Sequence, residues 1–217
     1  MKALTIPLNR ILEADAAAPA RRRGNRASRV PQIIEVSLDV LASEGYAGYT
    51  VTRVAKDSGI RLSTLQHYFP NREELLRATM REVVNRYFAR YRKTIENKAL
   101  TPEARLDAVV DDFIVEFSKP GLAAFLLQFW ALTEREKFAS DLLAELQKQF
   151  CHLNASLIAE INPGLSPEDC YLRATLIAAH GEGLIVLIRR GPDDLPSLDT
   201  LRSATKFIWN AISNAAA

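Results

Sequence analysis

Between Arg61 and Tyr68, seven of eight residues carry side chains suited to contacting another molecule: Arg61, Leu62, Ser63, Thr64, Gln66, His67 and Tyr68. Hydroxyl, amide, imidazole and guanidinium groups at this density make hydrogen bonds to base edges and phosphates, and an apolar side chain among them suits a thymine methyl. The chemistry expected is recognition, with no catalytic residue. No phosphate loop, paired Cys or His ligand set, or Ser nucleophile motif occurs, and one of only three histidines, His67, lies in this run. His180 and Glu182 stand two apart, on different faces of a helix, and Cys151–His152 has no ligand spacing. No metal and no cofactor is expected.

Such a run needs elements that hold it outward. Counting from Val51, the fourth, fifth, ninth, tenth and fifteenth positions are Val54, Ala55, Gly59, Ile60 and Leu65. Two short helices that cross closely need these types: a small residue at the crossing, a glycine where the turn takes positive φ, and three apolar residues for a miniature core. The pattern predicts a helix-turn-helix over 50–69 with 62–68 as its presented helix, whose usual target is the major groove of duplex DNA. A helix from 31 to about 43, stopped by Gly45, precedes it. Thr50 or Thr52 caps the next helix, and Pro70–Asn71 opens a long one over 72–97.

Charge divides the chain. Residues 1–98 hold 18 Lys+Arg against 10 Asp+Glu, a net of +8, while 99–217 hold 10 against 16, a net of −6. A basic front suits a polyanion, and an acidic rear argues against DNA over the whole surface. Residues 1–27 end in RRRGNRASR, five arginines in nine residues including Arg26, and read as a flexible basic arm. Two cysteines are too few for a disulfide framework, no run approaches the ~18 consecutive apolar residues of a membrane span, and the N-terminus makes a poor signal peptide. A cytoplasmic protein with no membrane partner is expected.

The run GYAGYTVTRVAKDSGIRLSTLQHYFPNREELL resembles the DNA-binding domain of the TetR family of bacterial transcriptional regulators. The pattern runs through Gly45, Val54–Ala55, Gly59–Ile60, Thr64–Leu65, the aromatic pair Tyr68–Phe69 and Leu75–Leu76. The resemblance covers about 28–88 and implies a recognition helix at Leu62–Tyr68. It implies Gln66 and Tyr68 at phosphates or bases, Ser63, Thr64 and His67 at base edges, and Arg72 on the DNA backbone. Three positions depart from it. Arg61 replaces the usual small cap, Leu62 is unusually apolar, and Gln66 stands where the family has Tyr, although Gln reads adenine well.

Every later segment reads as a helix: about 102–118, 122–133, 137–161, 166–190 and 198–214. The fold expected is all-α, about nine helices, with a helix-turn-helix domain over 28–75 and a ligand-binding and dimerisation domain over 98–217. Candidate ligand residues are Phe113, Phe117, Phe125, Phe129, Trp130, Cys151, His152 and His180; the phenylalanines read equally as core. The small residues Ala178, Ala179, Gly181 and Gly183 permit close helix approach, within one subunit or between two. The resemblance implies a two-fold interface with Ala179, Gly183, Phe207, Ile208, Trp209 and Ile212. The expected partners are double-stranded operator DNA, a small-molecule effector and a second copy; the expected function is a ligand-responsive homodimeric repressor. The alternatives are an activator of the same fold, an architectural DNA binder, and a helical carrier or enzyme. Deleting residues 1–26 is expected to weaken operator binding and flatten its salt dependence in a titration; an unchanged affinity and slope would rule the arm out.

Overall fold

The computed structural model describes residues 26–191 and 193–216. Among them are nine helices and no strand. The basic arm expected over 1–27 lies outside the described residues except for the backbone of Arg26 and Ala27, and nothing is assigned to the Arg26 side chain. The chain divides into two compact units, one ending at Tyr87 and one beginning at Phe88.

The first unit starts with α1 (Arg26–Gly48). It begins five residues before Pro31, since Arg and Ala are good helix formers, and Pro31 lies inside it, where it forfeits one backbone bond. Gly45, at φ 66°, breaks the helical path where a stop was expected. Thr50 then caps α2 (Val51–Asp57), its Oγ1 accepting from the Arg53 amide at 3.2 Å. Gly59, at φ 64°, turns the chain into α3 (Leu62–Tyr68), a turn any β-carbon would strain. Asn71 Oδ1 accepts from the Glu74 amide at 2.9 Å at the start of α4 (Arg72–Ile95). Ile33, Leu38, Val54, Leu65, Leu75 and Leu76 are buried together with Tyr49.

Inside that apolar core runs a short polar chain. Ser37 Oγ lies 2.5 Å from the Tyr49 hydroxyl and 2.7 Å from Thr79 Oγ1, which donates to the Leu75 carbonyl at 2.7 Å. Since the Thr79 proton goes to that carbonyl, Ser37 donates to Thr79 and Tyr49 donates to Ser37. Each buried hydroxyl proton has an acceptor, and the chain ties the loop before α2 to α1 and α4.

The second unit begins within α4 and adds α5 (Pro102–Ser118), α6 (Pro120–Thr133), α7 (Lys137–Ile161), α8 (Pro167–Arg190) and α9 (Leu198–Asn214). Hydroxyl caps by Thr101, Ser166 and Ser197 start α5, α8 and α9. Leu106, Ile114, Phe129, Leu157, Ile158, Ile177 and Trp209 form the core, and Phe88, Tyr91 and Ile95 at the end of α4 are buried. Tyr91 donates to Asn154 Oδ1 at 2.8 Å. Arg105, 2% exposed, donates to the Ile95 carbonyl at 2.9 Å and to Glu160 Oε2 at 2.5 Å. With Lys98 also 2.6 Å away, the Glu160 carboxyl is held down to about 2 by hydrogen bonds from Arg105 and Lys98. By length and composition α8 is long and apolar enough to cross a membrane, and 28% of its apolar window is buried. His180 and Glu182 interrupt it, so no uninterrupted apolar run was legible there.

Burial raises the Tyr49 phenol above its ordinary value, because a phenolate in this core loses its water. The protonated form therefore contributes stability that is complete below the unfolded tyrosine value of about 10 and lost as pH rises through the higher folded value. Tyr49→Phe is expected to cost the first unit about 1–2 kcal/mol at neutral pH and to remove this alkaline loss. Hydrogen exchange of α1–α3 amides from pH 7 to pH 11 checks both.

Candidate nucleic-acid interface and effector cavity

Of the seven residues of α3, Leu65 alone is fully buried, seated on the core with Val54 and Ala55 of α2. Leu62, Ser63, Thr64, Gln66 and His67 are exposed, Arg61 is exposed just before them, and Tyr68 is half-buried. The His67 and Tyr68 rings meet edge to face with centroids 5.5 Å apart. Arg61 occupies the cap position without a side-chain cap bond, so its guanidinium is available to another acceptor. Thr52 is exposed on the first turn of α2; the Thr50 hydroxyl already accepts the cap bond and retains its own proton. Arg53 is held by Asp57 at 2.6 Å and Glu44 at 3.0 Å.

Arg72 stands apart from this group. Its Nε donates to the Tyr49 carbonyl at 2.9 Å and its Nη2 to the Tyr46 carbonyl at 2.7 Å. The guanidinium lies over the Tyr46 ring, 4.2 Å from the centroid. This is a clamp on the loop between α1 and α2, with a cation over an aromatic face adding to two charge-assisted hydrogen bonds. Sequence pattern could place Arg72 at a helix start, but nothing in it indicated the two carbonyls.

The candidate ligand residues of the second unit do not gather in one place. Phe113 packs on Phe117 and Trp209, with centroids 4.7 Å and 6.0 Å apart, and Phe125 packs on Phe129 at 5.8 Å. All four phenylalanines are buried. Cys151 is buried beside the Thr175 hydroxyl at 3.9 Å, and burial raises its thiol. His152 is exposed and rests on Tyr171 at 5.3 Å. His180 Nδ1 accepts the Trp209 indole N–H at 3.0 Å, and burial lowers the imidazole's proton affinity. Accepting at Nδ1 fits a neutral ring protonated at Nε2.

Trp130 lines a cavity of about 400 Å³ together with Gln147, Ala179, Glu182, Gly183 and Val186. Gln147 Nε2 donates to Glu182 Oε1 at 2.8 Å. An indole, a carboxylate and an apolar rim make a set that holds a cation with apolar substituents, by ring face and by charge. Gln147 and Val186 carried no signal of this in the sequence; Glu182 stood out only as an acid in an apolar stretch.

The residues expected at a two-fold interface also separate. Ala179 and Gly183 are exposed, Phe207 is 75% exposed, and Ile208 and Ile212 are half-buried. Trp209 is 0% exposed, which corrects its expected place at the interface: its N–H is satisfied by His180 and its ring by Phe113. The two glycines differ as well. A β-carbon on Gly181 would stand 3.5 Å from Phe113, whereas one on Gly183 would meet nothing within 4 Å. Gly181 fits tight packing inside the subunit; Gly183 has no such reason.

Comparison with known proteins covers both halves. The family model of bacterial regulatory proteins of the TetR family matches residues 33–79, and that of the BetI-type transcriptional repressor C-terminal domain matches 102–208. The HTH-type transcriptional regulator BetI of Burkholderia thailandensis is 29% identical over 166 residues, covering 74% of this chain and 82% of that protein. The BetI of Paraburkholderia phymatum is 29% identical over 200 residues, covering 89% and 98%. In fold, a TetR transcription regulator from Haloarcula marismortui aligns with TM-score 0.73 at 21% identity, over 85% of this chain and 98% of that one. A transcriptional regulator from Saccharomonospora viridis, solved in complex with choline, aligns with TM-score 0.71 at 21% identity, over 84% and 96%. With front and rear both matched, the chain belongs to the TetR family of bacterial transcriptional regulators, and its helix-turn-helix is the DNA-binding element of such a regulator.

Proposed function

We propose that this regulator is a homodimeric repressor that grips operator DNA in the cytoplasm through two copies of α3 and lets go when a small organic cation occupies the cavity at Trp130. The observation that carries the DNA half is α3 itself, a helix with one fully buried residue and a row of polar side chains facing out. Arg61, Ser63, Thr64, Gln66, His67 and Tyr68 supply contacts to bases and phosphates, and Leu62, 38% exposed, suits a thymine methyl. Thr50 and Thr52, at the start of α2, approach phosphates. Arg72 clamps the loop before α2 and, at the start of α4, holds the DNA backbone.

One such helix reads too few base pairs for useful specificity, so a second copy is required, with half-sites about 34 Å apart. The apolar surface of α8 and α9 supports this: Leu172 is 58% exposed, Leu176 50% and Phe207 75%. The effector class rests on Trp130 and Glu182, and the choline complex of the Saccharomonospora regulator supports it at the level of fold. A ligand releases DNA only if it prefers the conformation whose reading heads do not match the operator spacing. The covalent route for that preference is α4, which carries Arg72 at one end and the buried Tyr91 and Ile95 at the other. We assign no catalytic role.

Two measurements test this reading. With DNA from upstream of its own gene, Leu62→Ala and Gln66→Ala are each expected to lower specific affinity by about 5- to 100-fold with an unchanged salt slope. Arg61→Ala is expected to reduce that slope by about one. Equal binding of unrelated DNA would favour an architectural protein instead. Choline, titrated onto the preformed complex, is expected to release it. Glu182→Gln is expected to weaken choline at least tenfold while DNA affinity without choline stays unchanged.

A further inference from the structure

We infer that the cavity at Trp130 is half of a binding site, closed by a second copy of the chain, so that the effector sits in the dimer interface. The inference rests on the effector class and the homodimer proposed above and adds where they meet.

Three of the six lining residues, Ala179, Gly183 and Val186, follow one another at helical spacing along α8. Continued toward the N-terminus, the same row passes through Leu176 and Leu172, both at least half exposed. The mouth of the cavity is therefore part of the apolar face assigned to the second copy. Gly183 lies in that mouth. Glycine inside a helix costs about 1 kcal/mol relative to alanine. Gly181 has a reason in Phe113, while at Gly183 a β-carbon would find open space, so the reason for a bare backbone lies outside this chain. A close approach by another α8 supplies it.

The cavity is also too open to work alone. Gln147, Ala179, Gly183 and Val186 are all exposed. A site for a small organic molecule encloses most of the ligand surface, roughly 70–90%, and here a wall is lacking. The apolar face of a second copy provides that wall. Isologous pairing provides it twice, since each copy brings one cavity and one cover.

Closing the wall has an electrostatic consequence. Glu182 is half-buried, and its hydrogen-bond partner among the described residues is the neutral Gln147. Covering this carboxylate with apolar side chains removes water from it without a compensating cation, which opposes the closed interface. A bound quaternary ammonium supplies the charge. Ligand and dimer therefore strengthen each other by the same factor, as linkage requires.

The test uses the full chain, choline as probe, calorimetry for binding and sedimentation for assembly. Leu176→Glu/Phe207→Glu changes two exposed positions that do not line the cavity, and its fold is checked by circular dichroism. The wild type is expected to bind choline as a dimer and to self-associate more tightly with choline present. The variant is expected to be monomeric and to lose at least tenfold in choline affinity. A folded monomer that binds choline as well as the wild type would overturn this inference and leave the proposed effector standing. A variant that stays dimeric would overturn it too, by removing α8 and α9 from the interface. Absence of choline binding by the wild type would overturn the effector reading itself. Should the variant misfold, dilution of the wild type decides: choline affinity must fall as the dimer dissociates, and a constant affinity refutes the shared site.

Discussion

A seven-residue helix with a single fully buried side chain cannot orient itself, so the reading surface of this protein depends on what is fixed around it. That constraint is met at Tyr49. Its ring fills the first unit's core, its hydroxyl enters the Ser37–Thr79 chain, and its carbonyl takes a hydrogen bond from Arg72. Each of these bonds leaves a buried or half-buried polar group if broken. The loop between α1 and α2 is thereby tied to α4 from inside and outside. The α2–α3 turn, set by Gly59, inherits its position from that loop.

The second unit handles charge differently. Arg105 is buried and held through its two terminal nitrogens by a backbone carbonyl and by Glu160, whose other oxygen meets Lys98. That cluster pairs both charges of opposite sign, although Arg105 Nε is left without a hydrogen-bond partner, and it joins the end of α4 to α5 and α7. Glu182 is the contrast: a half-buried carboxylate with one neutral donor, beside an indole and an unfilled space. A paired cluster stiffens a fold. A carboxylate left with a neutral partner at a cavity wall is what a cationic ligand can complete.

Helix α8 carries both tendencies. Ile177, Gly181 and Leu184 face inward, with Gly181 against Phe113 and Trp209, while Leu172, Leu176, Gly183 and Val186 face out. A helix apolar on both faces has the length and composition of a membrane span; 28% of its apolar window is buried in the core, and the exposed Leu172, Leu176 and Val186 make a surface suited to another copy.

By itself the sequence determined the helices and the reading head. Hydrophobic spacing, hydroxyl caps and the five positions from Val54 to Leu65 are local properties, so they survive in a one-dimensional string. It determined equally that 61–68 faces outward, since one apolar position in that stretch points back to a core. Only the tertiary structure decided which polar groups meet. Arg72 became a clamp, Trp209 a buried donor to His180, and the aromatic residues of the rear half dispersed into core pairs, leaving Trp130 with Gln147 and Glu182. Apart from the phenylalanine pairs four residues apart, those outcomes join residues 17 to 96 positions apart, across helices whose relative rotation no local pattern encodes. A rotation of one residue, about 100°, would exchange Gly181 for Glu182 at the core. Packing of α6, α7 and α8 against one another had to settle it.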